Sequence, residues 1–217
     1  MQYDFGQSLR DYKQKCEKLY SKDGFTISIA QRILPIAMLR ASDVYHLFCY
    51  AKNIPNGGTY LEIGSWIGGS LVCAYEATRI INRTVHFIAV EPIFRKGFLN
   101  NVKLIPNFRL IKATSDSAVD QIKDDSVDLL FLDGDHSHEQ VKRDLTNYWP
   151  KIKMGGILLG HDYVEEKAWE VKPAADELFG RKLQKFSDDS RLFFINKQRK
   201  EDLNGAWSYA DGDIQKR

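Results

Sequence analysis

Apolar and polar positions follow different patterns in different parts of the chain. Residues 1–53 are polar with helically spaced apolar positions, and Ser42 or Asp43 is a candidate N-cap of the last helix there. From Thr59 onward, short apolar runs alternate with amphipathic stretches. The pattern predicts an N-terminal helical extension, a strand–helix domain and a polar C-terminal tail, at residues 1–53, 54–197 and 198–217.

Seven apolar runs predict strands. The first five are almost continuously apolar and are separated by amphipathic helical stretches, which favours a mostly parallel sheet covered on both faces. The last two lie close together, which suits an antiparallel edge. The predicted fold class is α/β: a Rossmann-like, doubly wound, mostly parallel seven-stranded sheet with an antiparallel edge strand. The runs are "TYLEIG", "VHFIAVE", "FRLIKA", "VDLLFLD", "GGILLGHD", "KLQKF" and "RLFFIN".

Composition narrows the classes of function. The 217 residues are 43% hydrophobic, enough for one well-packed domain, and the net charge is only +2 without a basic block, so we expect no nucleic-acid partner. The apolar runs are too short to span a membrane, and the N-terminus lacks a signal-peptide pattern. Cys16, Cys49 and Cys73 form no C-x-x-C pair, which favours a reducing cytoplasm.

Polar side chains follow the predicted strands at the points where the strands end. Ligands of open parallel sheets bind outside the carboxyl ends of the strands, so we expect the site at this edge. The residues concerned are Glu62, Glu91, Ser115 with Asp116, Asp133, and His161 with Asp162.

The stretch "YLEIGSWIGGSL" predicts a strand, a glycine turn and the start of a helix. Its E-x-G-x-x-x-G spacing differs from the G-x-G-x-x-G that a dinucleotide would require. Glu62, two residues before Gly64, repels a pyrophosphate but suits an ammonium group, and Glu91 on the next strand can accept hydrogen bonds from ribose hydroxyls. The pattern favours an adenosine that carries an amino acid, and a plain glycine turn with a solvated glutamate remains the alternative.

The stretch "FLDGDHSHEQVKRDL" crowds acidic residues and histidines after the fourth strand. Neighbouring parallel strands lie about 4.8 Å apart, so Asp133 can converge with His161 and Asp162 on one divalent cation. His136, just before a predicted Ser137–Gln140 capping box, is a candidate general base. A solvated acidic turn is the alternative. We expect His138 to be an exposed residue without a role.

Residues 55–197 resemble the class I S-adenosylmethionine-dependent methyltransferases, and "FLDGDHSHEQVKRDL" with "GGILLGHDY" resembles the methyltransferase family 24 group. That group is similar to metal-dependent catechol, caffeoyl-CoA and macrolide-sugar O-methyltransferases. The resemblance implies Asp133, His161 and Asp162 as metal ligands and His136 as catalytic base. It implies that S-adenosyl-L-methionine contacts Glu62, Gly64, Ser65, Gly68, Ser70, Glu91, Ser115, Asp116 and Asp133.

The sequence therefore predicts a cytoplasmic O-methyltransferase that acts on a small-molecule or sugar hydroxyl, with Mg²⁺ as the expected ion. Position 161 is usually Asp or Glu in the relatives, so histidine there leaves weak or absent metal dependence open. An NAD-dependent oxidoreductase and a non-catalytic cofactor-binding module are the alternatives. We expect no membrane partner, and a homo-oligomer is left open.

Overall fold

The computed structural model describes residues 9, 10, 13, 20–166 and 169–198. Cys16 and the predicted tail beyond residue 198 lie outside the described residues.

Seven strands form one sheet in the described part of the chain, in the order β3-β2-β1-β4-β5-β7-β6. The first five run parallel, and β7 pairs antiparallel with both β5 and β6. The predicted fold class is therefore confirmed. The strands are β1 (Thr59–Ile63), β2 (His86–Val90), β3 (Phe108–Ile111), β4 (Val127–Leu132), β5 (Ile152–Gly160), β6 (Gln184–Lys185) and β7 (Phe193–Asn196).

Helices precede the sheet and connect its strands. Within the strand–helix domain, the helices form from the amphipathic stretches between the apolar runs. Short 3-10 turns follow or precede several of them. The α-helices are α1 (Ile27–Ala37), α2 (Ala41–Lys52), α3 (Gly69–Arg79), α4 (Phe98–Val102), α5 (Ser115–Ala118), α6 (His138–Tyr148) and α7 (Val171–Phe179).

Two apolar cores cover the two faces of the sheet. Along β4, Leu129 and Phe131 belong to one core, and Leu130 and Leu132 belong to the other, as expected when successive side chains point to opposite faces. The first core joins the sheet to α1, α2 and α3, and the second joins it to α6 and α7. The N-terminal helices thus share a core with the sheet, whereas the domain boundary near residue 53 stays a prediction.

No helix among the described residues is both long and apolar enough to span a membrane.

Candidate functional site

The glycine turn after β1 brings the ends of two neighbouring strands into close contact. Gly64 has a φ of +82°, and a Cβ atom on it would lie 2.1 Å from the backbone oxygen of Asp133 at the end of β4. Gly68, with a φ of +85°, then leads into α3. Both positions require glycine because L side chains disfavour this conformation. The turn therefore lies directly against the Asp133 segment.

Glu62 is fully buried beneath this turn. The Tyr60 hydroxyl donates to Oε2 at 2.6 Å, and the Ser70 hydroxyl donates to Oε1 at 2.9 Å. Burial raises the pKa of the Glu62 carboxyl to about 8, although these hydrogen bonds lower it. The carboxyl group thus fixes the Ser70 hydroxyl at the start of α3. Contact of Glu62 or Ser70 with a cofactor stays a prediction.

Glu91, directly after β2, binds the backbone of the same glycine turn after β1. Its Oε2 accepts hydrogen bonds from the backbone N–H groups of Ser65 and Trp66, at 2.8 and 2.9 Å. Its Oε1 accepts one from the Ile93 N–H at 3.0 Å. Trp66 has a positive φ of 48°, and the Arg95 guanidinium lies 4.2 Å from its ring centroid. Glu91 therefore shapes the loop, and its predicted contact with a ribose remains untested.

Ser115 and Asp116 begin α5, after β3, and pack beside α6. The Tyr148 hydroxyl donates to the Ser115 backbone oxygen at 2.7 Å, and the Gln140 amide donates to the Ser115 hydroxyl at 3.1 Å. Ser115 is thus anchored to α6, while the expected contact with adenine stays a prediction.

The predicted capping box at the start of α6 is wrong. Ser137 is the N-cap residue, but its side chain makes no capping hydrogen bond. Its hydroxyl and its backbone N–H both donate to Oδ1 of Asp135, at 2.5 and 2.7 Å. Gln140, the expected partner, turns towards Ser115 and Asp144. Asp135 outcompetes the box because it is only two residues away and already carries a negative charge.

Asp133, His136 and Asp162 bring three potential ligand atoms within 4.8 Å of one another. The Nε2 atom of His136 lies 2.9 Å from Oδ2 of Asp162 and 4.0 Å from Oδ1 of Asp133. Contact with the Asp162 carboxylate raises the pKa of His136, although burial opposes it. Asp162 itself has a positive φ of 57°, a conformation that costs free energy in a residue other than glycine.

His161, a buried residue at the end of β5, also belongs to this cluster. Its Nδ1 atom lies 3.3 Å from Oδ1 of Asp133 and 3.3 Å from Oδ2 of Asp162, and its side chain is 7% exposed. Burial lowers the pKa of His161, but the neighbouring carboxylates outweigh burial and hold that pKa well above its usual range. The structure therefore brings together all four residues predicted to be metal ligands or the catalytic base: Asp133, His136, His161 and Asp162.

Sequence reasoning missed Asp43 as a member of this cluster. Asp43 lies in the first turn of α2, is 0% exposed, and its Oδ2 contacts Nε2 of His161 at 3.3 Å. Burial raises the pKa of Asp43, but hydrogen bonds from His161, the Ser190 hydroxyl and the Arg191 N–H outweigh it, so the pKa is lowered. The predicted N-cap at Ser42 or Asp43 is wrong: Arg40 is the N-cap residue, and Asp43, three residues later, accepts the Arg40 N–H through Oδ2 at 3.0 Å.

The donor atoms fit a divalent cation. Nε2 of His136, Nδ1 of His161 and Oδ1 of Asp162 are buried and make no well-directed hydrogen bond with described residues. Ligands about 2.1 Å from an octahedrally coordinated ion lie about 3 Å from one another, and the cluster shows separations of 2.9 and 3.3 Å. Two carboxylates with imidazole nitrogen suit such an ion. Asp133, His161 and Asp162 could therefore hold it, with His136 beside them.

Trp169 forms a wall of the cluster on the solvent side. Its ring stacks on His136, with centroids 5.5 Å apart and planes at 25°, and the Arg191 guanidinium lies 5.1 Å from the Trp169 ring. The backbone oxygen of His136 accepts a hydrogen bond from the Glu170 N–H at 2.9 Å. These contacts, rather than a capping box, hold His136 with Nε2 towards the carboxylates.

His138 lies in the first turn of α6 as predicted, but its side chain is only 27% exposed and not fully exposed. Its two ring nitrogens contact Glu139 at 3.3 Å and Glu177 at 3.2 Å, on the outer surfaces of α6 and α7.

Residues 61–163 match the family described as "Methyltransferase domain". This range contains the glycine turn and four residues of the acid–histidine cluster, Asp133, His136, His161 and Asp162, but not Asp43. Residues 61–163 carry a methyltransferase domain. The family resemblance predicted from the sequence is thereby confirmed.

Relatives of the methyltransferase domain were found among curated sequences. An uncharacterized protein of Acanthamoeba polyphaga mimivirus is 31% identical over 134 residues, which cover 55% of this chain and 58% of that protein. An uncharacterized protein of Sinorhizobium fredii is 30% identical over 115 residues, which cover 47% of this chain and 13% of that protein. The chain thus spans little more than half of the first relative and a small part of the second.

Solved structures share the fold of the methyltransferase domain. Cofactor-bound Rv0187 from MTB superposes with a TM-score of 0.64 at 13% identity, covering 92% of this chain and 100% of that one. Apo CalS11, a TDP-rhamnose 3′-O-methyltransferase of calicheamicin biosynthesis, superposes with a TM-score of 0.56 at 13% identity, covering 88% and 93%. At this level of identity the comparison shows the fold alone.

Proposed function

We propose that the chain transfers a methyl group from S-adenosyl-L-methionine to a hydroxyl oxygen of a small molecule or a sugar. One observation carries the proposal: the glycine turn and the acid–histidine cluster meet at a single edge of the sheet. Their meeting point is the contact between Gly64 and Asp133. A cofactor bound along the turn would therefore present its reactive end to the cluster.

The cofactor half of the proposal assigns the methionine end to the turn and the start of α3. Ser70 would contact this end directly, and Glu62 would act by fixing the Ser70 hydroxyl, since its own oxygens are buried. Asp133 is 23% exposed at its side chain and would face the ammonium group. Glu91 would accept from the ribose, and Ser115 and Asp116 would flank the adenine.

The chemical half assigns His136 as the general base. The acceptor oxygen attacks the methyl carbon in line, the carbon–sulfur bond breaks, and sulfur keeps the bonding electron pair. The hydroxyl proton passes to Nε2 of His136. Support comes from the position of this nitrogen, 2.9 Å from Asp162 and 4.0 Å from Asp133, beside the residues that would hold the acceptor.

A divalent cation at Asp133, His161 and Asp162 is part of the same proposal. When bound, such an ion lowers the pKa of a hydroxyl group that it coordinates and fixes its position. The residues of this chain would orient the acceptor between the cluster and the Trp169 ring and would take up its proton. The cytoplasmic location expected from the sequence belongs to the proposal as well.

Sugar hydroxyls are the first acceptor class to test. CalS11, which has a similar fold, is described as a TDP-rhamnose 3′-O-methyltransferase. The structural match covers 93% of the CalS11 chain. The partly exposed carboxylate of Asp133 and the flanking Trp169 ring would suit a polyhydroxylated ring, which offers both vicinal oxygens and an apolar face.

Binding is the first experiment. Calorimetric titration with S-adenosylhomocysteine, and separately with NAD⁺, distinguishes the proposal from an oxidoreductase. We expect S-adenosylhomocysteine to bind and NAD⁺ not to bind. Binding of NAD⁺ alone, or of neither compound, would contradict the proposal. Binding without turnover on any hydroxyl acceptor would favour a non-catalytic cofactor-binding module instead.

His136→Ala is the test of the base. We expect the rate of methyl transfer to fall by about 10²- to 10⁴-fold, the usual contribution of a general base, with S-adenosylhomocysteine affinity retained. His138→Ala is the matched control, because His138 lies two residues away and makes only surface contacts. Equal rates for both variants would show that His136 is not the base.

A further inference from the structure

His161 lies between three carboxylates, and its two ring nitrogens face different ones. Nε2 contacts Oδ2 of Asp43 at 3.3 Å, whereas Nδ1 lies 3.3 Å from both Oδ1 of Asp133 and Oδ2 of Asp162. Nδ1 is buried and makes no well-directed hydrogen bond to either oxygen. The ring therefore has one conventional hydrogen-bond partner, Asp43, and one nitrogen aimed between two acidic groups.

The Asp43 carboxylate is fixed in place from three other directions. Oδ1 accepts hydrogen bonds from the Ser190 hydroxyl at 2.8 Å and the Arg191 N–H at 2.7 Å, and Oδ2 accepts the Arg40 N–H at 3.0 Å. Because the carboxylate cannot turn away, an acceptor always faces Nε2 of His161. Nε2 must then carry a hydrogen.

With hydrogen on Nε2, the lone pair of a neutral His161 ring is on Nδ1, between Asp133 and Asp162. A lone pair directed at two carboxylates is repulsive unless a proton or a metal cation lies between them. Histidine ligands of metals commonly donate their second ring N–H to a carboxylate, which fixes the tautomer and the orientation of the ring. The Asp43–His161 contact has this form.

We propose that Asp43 is a positioning residue that holds Nδ1 of His161 as a metal ligand, and that the site therefore prefers a first-row transition cation to Mg²⁺. This inference rests on the proposed function, since it concerns the ion of the same site. Mg²⁺ favours oxygen ligands and retains its waters, whereas an imidazole nitrogen suits Fe²⁺, Co²⁺ or Zn²⁺. One buried nitrogen among carboxylates shifts the preference accordingly.

Metal binding to chelator-treated, cofactor-free protein tests the role of Asp43. In Asp43→Asn the amide oxygen keeps the two donors at the Oδ1 position, which turns the NH₂ group towards Nε2. That group forces the hydrogen onto Nδ1 and blocks ligation. We expect calorimetric titration to show Co²⁺ binding at least about tenfold weaker than in the wild type. Ser190→Ala, which removes one hydrogen bond to Asp43 but leaves the His161 contact, should change Co²⁺ affinity far less.

His161→Asp tests the metal preference and does not depend on the stability of the Asp43 variant. It replaces the nitrogen ligand by oxygen, so the ratio of Co²⁺ to Mg²⁺ affinity should fall by at least about tenfold, or about 1.4 kcal/mol. The visible absorption of bound Co²⁺ should change with it. An unchanged ratio, unchanged Co²⁺ binding by Asp43→Asn, or a wild-type protein that binds no metal would each overturn the inference.

Titration of the same metal-free protein with S-adenosylhomocysteine separates the two proposals. If this compound binds while the metal results fail, the inference about Asp43 is wrong and the proposed function stands. If the compound does not bind, the proposed function fails, whatever the metal results.

Discussion

Glu62→Gln tests whether a buried carboxyl group under the glycine turn keeps its proton at neutral pH. Glu62 is 0% exposed, and burial raises its pKa to about 8 from an ordinary value of 4.5. Between these two values the unfolded chain has lost the proton while the folded chain retains it. The unfolded state thus binds fewer protons, and the stability contributed by this group decreases as the pH rises.

The size of the effect follows from the shift. One pKa unit corresponds to about 1.4 kcal/mol, so stability should fall by up to about 3 kcal/mol between about pH 5.5 and about pH 7.5 because of this group. Glutamine carries no titratable proton and has nearly the same shape. The difference in unfolding free energy between the wild type and the variant should therefore change by that amount across the window.

Urea denaturation of both proteins at several pH values measures this difference. The pKa values of His136 and His161 are raised in the folded state, so the stability that these groups contribute also decreases as the pH rises. Their effect is common to both proteins and cancels in the difference. If the wild type and Glu62→Gln lose stability with the same slope, Glu62 is already ionised in the folded state and the reasoning is wrong.

Two further substitutions, each with a control, test the packing of the fold, one beside the site and one at the opposite edge of the sheet. Gly64→Ala should destabilise the fold by about 3 kcal/mol or more in urea denaturation, because a Cβ would meet the Asp133 backbone oxygen at 2.1 Å. Gly57 also has a positive φ, but a Cβ there would meet open space, so Gly57→Ala should cost only about 1–2 kcal/mol. Equal destabilisation by the two substitutions would show that the contact with Asp133 is not the cause. Lys197→Met should cost about 2–4 kcal/mol in thermal unfolding, since the buried ammonium donates to two backbone carbonyls. Lys151→Met, at an ion pair with the exposed carboxylate of Asp124, should cost less than about 1 kcal/mol, and comparable losses would contradict this account.

The sheet and the cluster could be predicted because both depend on local patterns. Apolar runs separated by amphipathic stretches specify parallel strands, and parallel strands place their carboxyl ends at one edge. Asp133 and the His161–Asp162 pair therefore had to converge once β4 and β5 were neighbours. The register of the two strands confirms it, since Leu132 pairs with Gly160 directly before these residues.

The capping of α6 and the role of Asp43 could not be predicted for physical reasons. A capping box is a local pattern, but Asp135 offers a closer acceptor, and sequence alone does not rank competing acceptors two and three residues apart. Asp43 lies 118 residues before His161, and their contact depends on how α2 packs against the sheet. Neither the hydrophobic periodicity nor a sequence motif predicts how α2 packs against the sheet.

Asp43 also explains why a buried carboxylate is tolerated next to two other acidic residues. It lies in the first turn of α2, where the helix dipole favours negative charge, and it accepts two backbone N–H groups as well as the Ser190 hydroxyl. These contacts compensate for the lost hydration, so the carboxylate remains ionised and faces His161. The N-terminal helices and the loop before β7 therefore have to fold onto the sheet before His161 is held in place. On this reasoning α2 contributes to the candidate site itself, because the orientation of a residue at the end of β5 depends on this helix, which precedes the sheet.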